Sequence, residues 1–527
     1  MLMWPAVTCL LFFSAIDLST SSEQNRAHVE QRSAFPIAES AVKPPYSVTV
    51  NGQSVPVEPG TRLQSTYFVR FWASGSAEIT VRSATDSQAS FSLRPDRYSA
   101  DAKVVAAAII FQVADDTPRI VKADGLPYLF LFPEPLLPAP DSSNPQVIAI
   151  HANSGSVAQH TQCIQSTIDR LSAAGGGTVY LLSGMHRSRV IHLKSHVTLH
   201  LAAGAVLQGT GNPNDYEATH GRLALILVDR AEDAAICGQG IIDGAGHVLQ
   251  KEHGAKAHLI DALSCRHLKI EGVVLRNPGA WTVHLIGCSD VTMSRIKILG
   301  DWMLANTDGI DPDMSENVLI EDCFIYSGDD ALVVKTTGSL GLQRASHHIT
   351  ARDCIVMTRK TSCKIGTESR YDIHDVLFES IDIVDSSRGC ALWMRDGATY
   401  SNITFRNIRM NLLRLPEEEW SGEAYRVAIQ QRDGHGTMQN ILFEQIQAQS
   451  PYRSILFSKL QYPLSGITFR DCIWRADVDG RIPHVEVDNA NDISFIDCSV
   501  ERKNTRQPFT ERLIQGSSRR AVHVKGR

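Results

Sequence analysis

The sequence contains none of the short motifs that identify the commonest cofactor sites. Its eleven cysteines include no pair at the CxxC spacing of zinc and redox sites, and no phosphate-binding loop occurs. No glycine-rich dinucleotide fingerprint stands between a predicted strand and a predicted helix. These absences weigh against nucleotide-dependent and redox enzymes, and we expect neither a cofactor nor a metal.

A strong charge of one sign is also missing. The formal net charge is −6 over 527 residues. Nucleic acids and anionic membranes are bound by clustered positive charge, so we expect neither as a partner. With 43% hydrophobic residues the chain has enough apolar side chains for a large core and for more than one domain. We expect a folded monomer.

Long hydrophobic runs are absent too. The longest candidate, Met1 to Phe13, is too short to span a bilayer and is followed by the Ser/Thr-rich residues 14–22. No Lys or Arg precedes it, but the pattern still predicts a signal peptide over residues 1–22 and a secreted or periplasmic protein. We interpret the recurring cysteines as stacked buried thiols, although an exported protein could pair some of them; they are Cys323, Cys354, Cys472 and Cys498.

Short β-prone segments recur through most of the chain. Their third residues are 23, 27, 31, 27, 27, 38, 26 and 26 positions apart. The segments run 268–270, 291–293, 318–320, 349–351, 376–378, 403–405, 441–443, 467–469 and 493–495. This period predicts a right-handed parallel β-helix, in which each coil covers the interior of its neighbour. One aromatic column is expected inside it, formed by Phe378, Phe405, Phe443, Phe469 and Phe495.

The region before these repeats lacks their register. Strand-like runs such as Tyr46 to Val50 and Tyr128 to Phe132 are separated by turn residues, which predicts a small antiparallel β-sandwich over residues 45–142. A proline-rich linker leads to the β-helix domain, 143–510. An amphipathic helix from Gln159 to Ala174 is expected to cap the coil, and residues 511–527 are interpreted as a basic, solvated tail.

Two acidic segments lie about one repeat apart. They are Asn306-Thr-Asp308-Gly-Ile-Asp311 and Gly328-Asp329-Asp330. Several carboxylates on one wall of a rigid scaffold favour hydrolysis of a glycosidic bond, because one group must donate a proton while another activates water. Asp and Asn are also common in β-helix turns, where they bond to the backbone. We interpret Asp311 as structural in this sense.

The order of these features resembles glycoside hydrolase family 28, the polygalacturonase-like members of the pectin-lyase-like β-helix superfamily. The resemblance covers roughly residues 153–411. The matching segments are 175–179, 238–246, 277–284, 306–311 and 328–330. It implies that Asp329 is the general acid and that Asp308 and Asp330 hold and deprotonate the attacking water. Cleavage would then invert the anomeric carbon of a polysaccharide or oligosaccharide, with a pectic or related acidic polymer favoured.

The chain departs from the family pattern in two places. Lys360 to Glu368 stands where members carry Gly-His-Gly, and Arg388 to Asp396 stands where they carry Arg-Ile-Lys. The substrate carboxylate must therefore meet other groups. We predict substrate-binding roles for six residues, Asn306, Lys335, Lys364, Arg370, Arg388 and Arg395.

Three aromatic residues and two alternative functions complete the set of hypotheses. Trp281 and Trp393 could stack on sugar rings, although packing is the commoner role of a single Trp, and His284 is open to the same question. A polysaccharide lyase on the same scaffold is one alternative function, but no acidic triplet with an adjoining Arg base is evident. A non-catalytic carbohydrate-binding β-helix is the other.

Overall fold

The structure is a computed structural model. It describes residues 43–526 apart from 62–64, 73–74, 86–88, 136, 153–154, 220, 420, 431–435, 460–461, 478–479 and 503–504. The signal peptide predicted for residues 1–22 lies outside this part of the chain. Within it, no helix has the length and apolar character that a membrane crossing demands.

The N-terminal domain is a sandwich of two five-stranded sheets. The first is antiparallel and runs in the order Gln53–Val55, Tyr46–Val50, Ala77–Ser83, Ala108–Val113, Lys103–Val105. The second has the order Glu58–Pro59, Thr66–Phe71, Tyr128–Pro133, Arg119–Ala123, Phe91–Arg94. Its pair Thr66–Phe71 and Tyr128–Pro133 is parallel, whereas the other pairs are antiparallel. Alternating apolar residues from both sheets fill the space between them.

The second domain is a right-handed parallel β-helix with three long sheets, numbered I to III. Sheet I contains Val147–Ile150, Gly177–Leu181, Val197–Leu201, Ala235–Gly238, Lys269–Glu271, Ser289–Ser294, Glu316–Glu321, Ser346–Arg352, Ile373–Glu379, Thr399–Arg406, Thr437–Glu444, Ile467–Arg470, Ile493–Ile496 and Val522–Lys525. Sheet II contains Gly184–Ser188, Ala205–Gly209, Ile241–Asp243, Val274–Arg276, Lys297–Leu299, Phe324–Ser327, Ile355–Thr358, Asp382–Ser386, Arg409–Leu412, Gln447–Gln449, Ile473–Arg475, Ser499–Arg502 and Thr505–Pro508.

Sheet III carries the candidate site. It contains Ile191–Leu193, Arg222–Asp229, Ala257–Leu263, Val283–Ile286, Ile310–Asp313, Leu332–Thr336, Thr361–Ser369, Arg388–Met394, Glu423–Ile429, Ser454–Ser458, Val485–Asp488 and Ile514–Gln515, with Glu217–Thr219 pairing at one side. Short 3₁₀ turns occupy Asp96–Asp101, Pro213–Asp215, Ser339–Gly341, Glu511–Leu513 and Arg519–Ala521, and a π-helical turn occupies Val248–Glu252.

An α-helix, Val157–Ala173, packs against the first coil as the sequence predicted. Ser156 begins it with a capping box, because its hydroxyl accepts the Gln159 N–H and the Gln159 side chain accepts the Ser156 N–H. Ile164, Ile168 and Leu171 lie on its buried face. The helix covers the open end of the coil interior, which would otherwise expose apolar side chains to water.

The interior holds the predicted column of phenylalanines. Successive rings of Phe378, Phe405, Phe443, Phe469 and Phe495 stack with centroids 5.0, 4.9, 4.7 and 4.8 Å apart and planes within 11° of parallel. All five are at most 1% exposed. Parallel strands in register place equivalent side chains one above another, so the repeat in the sequence becomes a stack in space.

Irregular positions within the strands of sheet I follow the same rule with polar residues. Asp290, Asn317, Asp375, Asn402 and Asn440 each adopt a left-handed φ between 53° and 57°. The Asn317 side chain donates to Asp290 at 3.0 Å, Asn402 to Asp375 at 2.9 Å and Asn440 to Asn402 at 2.7 Å. Asn and Asp tolerate this conformation better than other non-glycine residues, which explains their frequency at these positions.

The sandwich packs against the outer face of sheet II. Phe130 lies 4.7 Å from Phe324 and 5.3 Å from Tyr326 between ring centroids, and Phe132 lies 5.1 Å from Phe324. Glu134, in the proline-rich segment, is 3% exposed and forms ion pairs with Arg70 of the sandwich at 3.0 Å and Lys297 of sheet II at 2.7 Å. The segment interpreted as a linker is therefore part of a packed interface.

The C-terminal region corrects one predicted boundary. Ile514–Gln515 pairs with Val485–Asp488 in sheet III, and Val522–Lys525 pairs with Ile493–Ile496 in sheet I. The coil thus continues beyond residue 510, and the basic residues counted as a tail flank two of its strands. The short alternating pattern Val522-His-Val524 lies among these basic residues and was not interpreted as a strand. In the structure it places both valines toward the coil.

Candidate active site

Asp308 and Asp330 occupy equivalent positions on adjacent coils. Each stands two residues before a strand of sheet III, and those strands pair with Ile310 opposite Leu332. The Gly309 N–H donates to the Asp330 carbonyl oxygen at 2.8 Å, which fixes the two turns against each other. The structure therefore brings the two acidic segments together on one side of the coil.

Glycine allows the turn that carries Asp329 and Asp330. A Cβ at Gly328 would collide with the carbonyl oxygens of Asp301 and Leu304. Only a residue without a side chain lets the backbone approach so closely. The sequence motif Gly-Asp-Asp thus reflects a packing requirement as well as the two acids.

Asp308 forms one arm of a buried ionic cluster. The ammonium of Lys335 lies 3.0 Å from Asp308 Oδ2 and 2.8 Å from Asp311 Oδ1, and all three side chains are at most 4% exposed. Burial lowers the pKa of Lys335, but the two carboxylates outweigh this and raise it well above its usual value. One ammonium does not compensate two buried acids, so burial raises the pKa of Asp308 and of Asp311.

Asp330 has its own lysine. Lys364 Nζ donates to Asp330 Oδ2 at 2.5 Å, and the Thr361 N–H donates to the other carboxylate oxygen at 3.1 Å. Burial alone would raise the pKa of Asp330, but the attraction of Lys364 prevails and holds it below its usual value. Asp330 is therefore an ionised carboxylate at neutral pH.

Asp329 differs from its neighbour in environment. It is half-buried, and its carboxylate accepts the N–H of Asn306 at 2.9 Å and the N–H of Asp330 at 3.0 Å. Burial, followed by repulsion from Asp330, raises the pKa of Asp329. Two adjacent acids thus have pKa values displaced in opposite directions, an arrangement that suits proton donation by one and proton acceptance by the other.

The predicted substrate-binding residues occupy three kinds of position. Lys335 and Lys364 are buried and paired with carboxylates. Arg388 is also buried, with Nη1 donating to Thr361 Oγ1 at 2.8 Å and Nε lying 3.3 Å from Glu423. Arg395 is half-buried and donates to Gln430 at 3.3 Å.

Asn306 and Arg370 are the exposed members of the predicted set. Asn306 adopts a left-handed φ of 60° and accepts a hydrogen bond from Lys256 at 2.5 Å through its side chain. Arg370 donates its backbone N–H to the Thr336 carbonyl at 2.9 Å.

The two tryptophans are largely enclosed by protein. Lys335 Nζ lies 3.5 Å from the ring centroid of Trp281, which is 7% exposed. Trp393 is 6% exposed and has the guanidinium groups of Arg395 and Arg426 each 5.1 Å from its ring centroid. Both rings contact cations, so each belongs to the electrostatic surroundings of the acids.

Sequence reasoning missed several charged residues around the acids. Glu423 is fully buried and holds Arg426 in a bidentate ion pair with two distances of 2.7 Å. Asp311, interpreted as structural, shares Lys335 with Asp308. A further buried group, His258, Asp261 and His284, lies on the preceding coils and offers ligand atoms suited to a metal. Glu423 and Asp261 lie in mostly apolar strands that each hold a further ionisable residue, Arg426 and His258 respectively, and that pairing was the available signal.

Comparison with known proteins defines the class of the molecule. The model of the family described as "Glycosyl hydrolases family 28" matches residues 163–450, more than half of the chain. The matched region includes the coils that carry Asp308, Asp329 and Asp330. The chain belongs to glycosyl hydrolases family 28.

Curated relatives agree with this assignment over part of their length. A protein named "Probable polygalacturonase" from Vitis vinifera is 30% identical over 259 residues, which are 44% of this chain and 52% of the relative. A protein named "Polygalacturonase" from Ralstonia nicotianae is 26% identical over 326 residues, 48% of this chain and 60% of the relative. The chain thus spans about half the length of the curated relatives it matches.

Solved structures share the fold. The family 28 exopolygalacturonase of Yersinia enterocolitica aligns with a TM-score of 0.56 and 17% identity, covering 86% of this chain and 96% of that one. Dex49A from Penicillium minioluteum aligns with a TM-score of 0.56 and 14% identity, covering 94% of this chain and 99% of that one. At these identities the likeness concerns the fold alone.

Proposed function

We propose that the protein hydrolyses glycosidic bonds in a pectic or related acidic polysaccharide or oligosaccharide outside the cytoplasm, with inversion at the anomeric carbon. Asp329 is the general acid, and Asp308 and Asp330 activate the attacking water. The observation that carries this proposal is the geometry of the acids on one wall of the coil: Asp330 pairs with Lys364 at 2.5 Å and Asp308 with Lys335 at 3.0 Å, next to the half-buried Asp329.

The reaction requires two proton movements. A water oxygen attacks the anomeric carbon and gives a proton to the Asp330 carboxylate, which Lys364 keeps ionised. The bond from that carbon to the leaving oxygen breaks, and the protonated Asp329 carboxyl donates its proton to the leaving oxygen. Asp308, held by Lys335, orients the water. The enzyme returns to its starting state when Asp330 passes its proton to Asp329 through solvent.

The substrate class rests on two supports. The curated relatives are named polygalacturonases. The positive side chains beyond the acids, Arg395 at half-burial and Arg370 at the surface, can form charge-assisted hydrogen bonds with a uronate carboxylate. Lys335 and Lys364 are better explained as groups that set the charge of the catalytic acids than as ligands of the sugar, because both are buried against them.

The proposal is tested by incubating the protein with pectic, algal and α-glucan polymers and measuring new reducing ends. We expect release from polygalacturonate or another acidic polymer, with the inverted anomer visible first in an NMR time course. Absorbance from a 4,5-unsaturated product would instead identify a lyase and overturn the proposal. Binding without product from any polymer would favour a non-catalytic carbohydrate-binding protein.

A further inference from the structure

A second group of ionisable side chains lies on sheet III ahead of the acids. His258 and Asp261 belong to the strand Ala257–Leu263, and His284 belongs to the next strand, Val283–Ile286. Asp261 pairs with His284, and His284 with Asp311, so the group begins two coils before Asp311. The three residues are at most 2% exposed, which is unusual for side chains of this kind.

The ligand atoms of these residues converge. Asp261 Oδ1 lies 3.2 Å from His284 Nδ1 and 3.6 Å from His258 Nδ1, and one ligand atom from each of the three residues lies within 4.8 Å of the others. Both Asp261 oxygens and both Nδ1 atoms are buried and make no hydrogen bond of acceptable geometry to the described residues. Such groups are costly to leave unsatisfied, and here they belong to three side chains whose ligand atoms lie within 4.8 Å of one another.

Asp313 fixes a hydrogen on Nε2 of His284. The Asp313 carboxylate accepts the Thr337 N–H at 2.8 Å and its hydroxyl at 2.6 Å, and it lies 3.2 Å from His284 Nε2. Nε2–H therefore donates to Asp313. A proton or a metal ion must then lie between His284 Nδ1 and the Asp261 carboxylate 3.2 Å away, because an unprotonated Nδ1 lone pair and a carboxylate repel each other. A carboxylate that orients a histidine in this way is a common support of metal ligands.

We propose that His258 Nδ1, His284 Nδ1 and the Asp261 carboxylate bind a first-row divalent transition-metal ion, of which Zn²⁺ is the representative. Bonds of about 2.0–2.1 Å at tetrahedral angles place ligand atoms about 3.3–3.4 Å apart, close to the separations found here. Two imidazoles with one carboxylate select such ions over Mg²⁺ and Ca²⁺, which prefer oxygen ligands. This replaces the expectation from the sequence that no metal is bound.

The ion would connect two parts of the molecule. Trp281 stacks on His258 with centroids 5.4 Å apart and meets His284 edge-on at 4.7 Å. Its ring also contacts two cations, the guanidinium of Arg222 at 4.2 Å and the ammonium of Lys335 at 3.5 Å, and Asp308 and Asp311 hold the latter. Fixing both histidines therefore fixes the tryptophan beside the acid cluster. A metal ion at His258 Nδ1 would leave the hydrogen on Nε2. The Nη1 of the exposed Arg222 lies 3.4 Å from that Nε2. Because both atoms would then be donors, we expect the Arg222 side chain to turn toward solvent.

Cobalt binding tests the proposal without reference to activity. The full-length protein, stripped with a chelator, is titrated with Co²⁺ and followed by its visible d–d absorption, which reports coordination geometry. We expect one equivalent per chain with tetrahedral or five-coordinate bands, displaced by Zn²⁺, and a higher Tm with either ion. Asp313→Asn should weaken binding about 10–100-fold, since it removes the support of His284.

The chain supplies a matched control. Glu232, Asp233 and His267 form an exposed group with similar separations. Asp261→Asn should abolish the cobalt spectrum, whereas Asp233→Asn should leave it intact. The reverse result would move the binding to the surface group and overturn the proposal. The proposal would also be overturned if the wild-type protein took up no stoichiometric metal and NMR showed that His284 carries hydrogen on both nitrogens. The wild-type measurements decide the question even if Asp261→Asn fails to fold.

Discussion

At the acid cluster, the outer face of sheet III is buried to the same degree as the interior phenylalanine column, but the two regions are built from opposite kinds of side chain. Phe443 has rings on both sides and is fully buried, as is Asp311, which lies against Lys335. The apolar column gains stability from packing and needs no partner of opposite charge. The ionic face is stable only where each carboxylate has a cation or a proton.

The difference shows that burial alone does not separate a core from a site. Inside the coil, each position repeats the chemistry of the one below it. On the outer face, neighbouring coils carry complementary charges, as Asp308 with Lys335 and Asp330 with Lys364 do. A buried position where the repeat is broken by charge is therefore the better indicator of function.

Replacement of the proposed general acid should have the largest effect on activity. Asp329→Asn removes the proton donor but keeps the hydrogen-bonding size of the side chain, so we expect kcat to fall about 10²–10⁴-fold with little change in Tm. Reducing-end assays and thermal melts measure the two quantities. Asp322→Asn, at an exposed turn between a strand of sheet I and a strand of sheet II, is the matched control and should change neither kcat nor Tm. Wild-type kcat in Asp329→Asn would contradict the assigned role.

A large cavity in the phenylalanine column should lower stability and leave activity nearly unchanged. Phe443→Ala removes a ring that contacts Phe405, Phe469 and Tyr425, and we expect the free energy of unfolding to fall by about 3–5 kcal/mol. Because the column lies away from the acids, kcat of the folded enzyme should stay within about twofold. Chemical denaturation measures the first quantity. A loss of kcat without a loss of stability would show that the two regions are coupled.

The ion pairs of Glu134 at the interface between the sandwich and sheet II should make the stability of the protein depend on pH. Burial would raise the pKa of Glu134, but Arg70 and Lys297 outweigh it and lower the pKa to about 2. Because the folded pKa lies below the unfolded one, this group contributes stability above about pH 4.5 that is lost as pH falls toward 2, by about 3 kcal/mol in total. Glu134→Gln should flatten that part of the stability curve, measured by denaturation from about pH 6 to 2. An unchanged slope would contradict the ion pair.

The smallest predicted effect is a shift of the pH profile. Lys364→Gln removes the cation that lowers the pKa of Asp330, so the base would be protonated over a wider range of acid pH. We expect the acid limb of kcat/KM to move to higher pH. Lys364→Arg keeps the charge and should move it less. A shift to lower pH in Lys364→Gln would show that Asp330 is not the base.

Much of the fold could be predicted from repetition. The segment spacing and the phenylalanine column led to the β-helix, and the spacing of Ile164, Ile168 and Leu171 led to the capping helix, because local pattern and final environment agree at these positions. The last strands were missed because Val522–Lys525 is short and lies among basic residues. The packing of the sandwich on sheet II was not visible, since aromatic residues in a strand do not reveal which face they contact.

The sequence indicated where the acids of the candidate site lie but not which cations pair with them. Asn306 to Asp311 and Gly328 to Asp330 stood out as motifs, yet the partners of their acids were interpreted as ligands of the sugar. Lys335 is 27 residues from Asp308, and Lys364 is 34 residues from Asp330. Such distances correspond to one coil, and only the exact register decides which side chains meet.

The sequence by itself determined that the chain coils, because a period near 27 residues with alternating apolar positions has one compact solution, and that its acids lie one coil apart. Tertiary structure alone decided which ammonium neutralises which carboxylate, and that ligand atoms of the buried His258, Asp261 and His284 lie within 4.8 Å of one another. The reason is physical: packing of apolar residues depends on periodicity, which is local, whereas the charge of a buried acid depends on neighbours within a few ångströms that the chain brings from other coils.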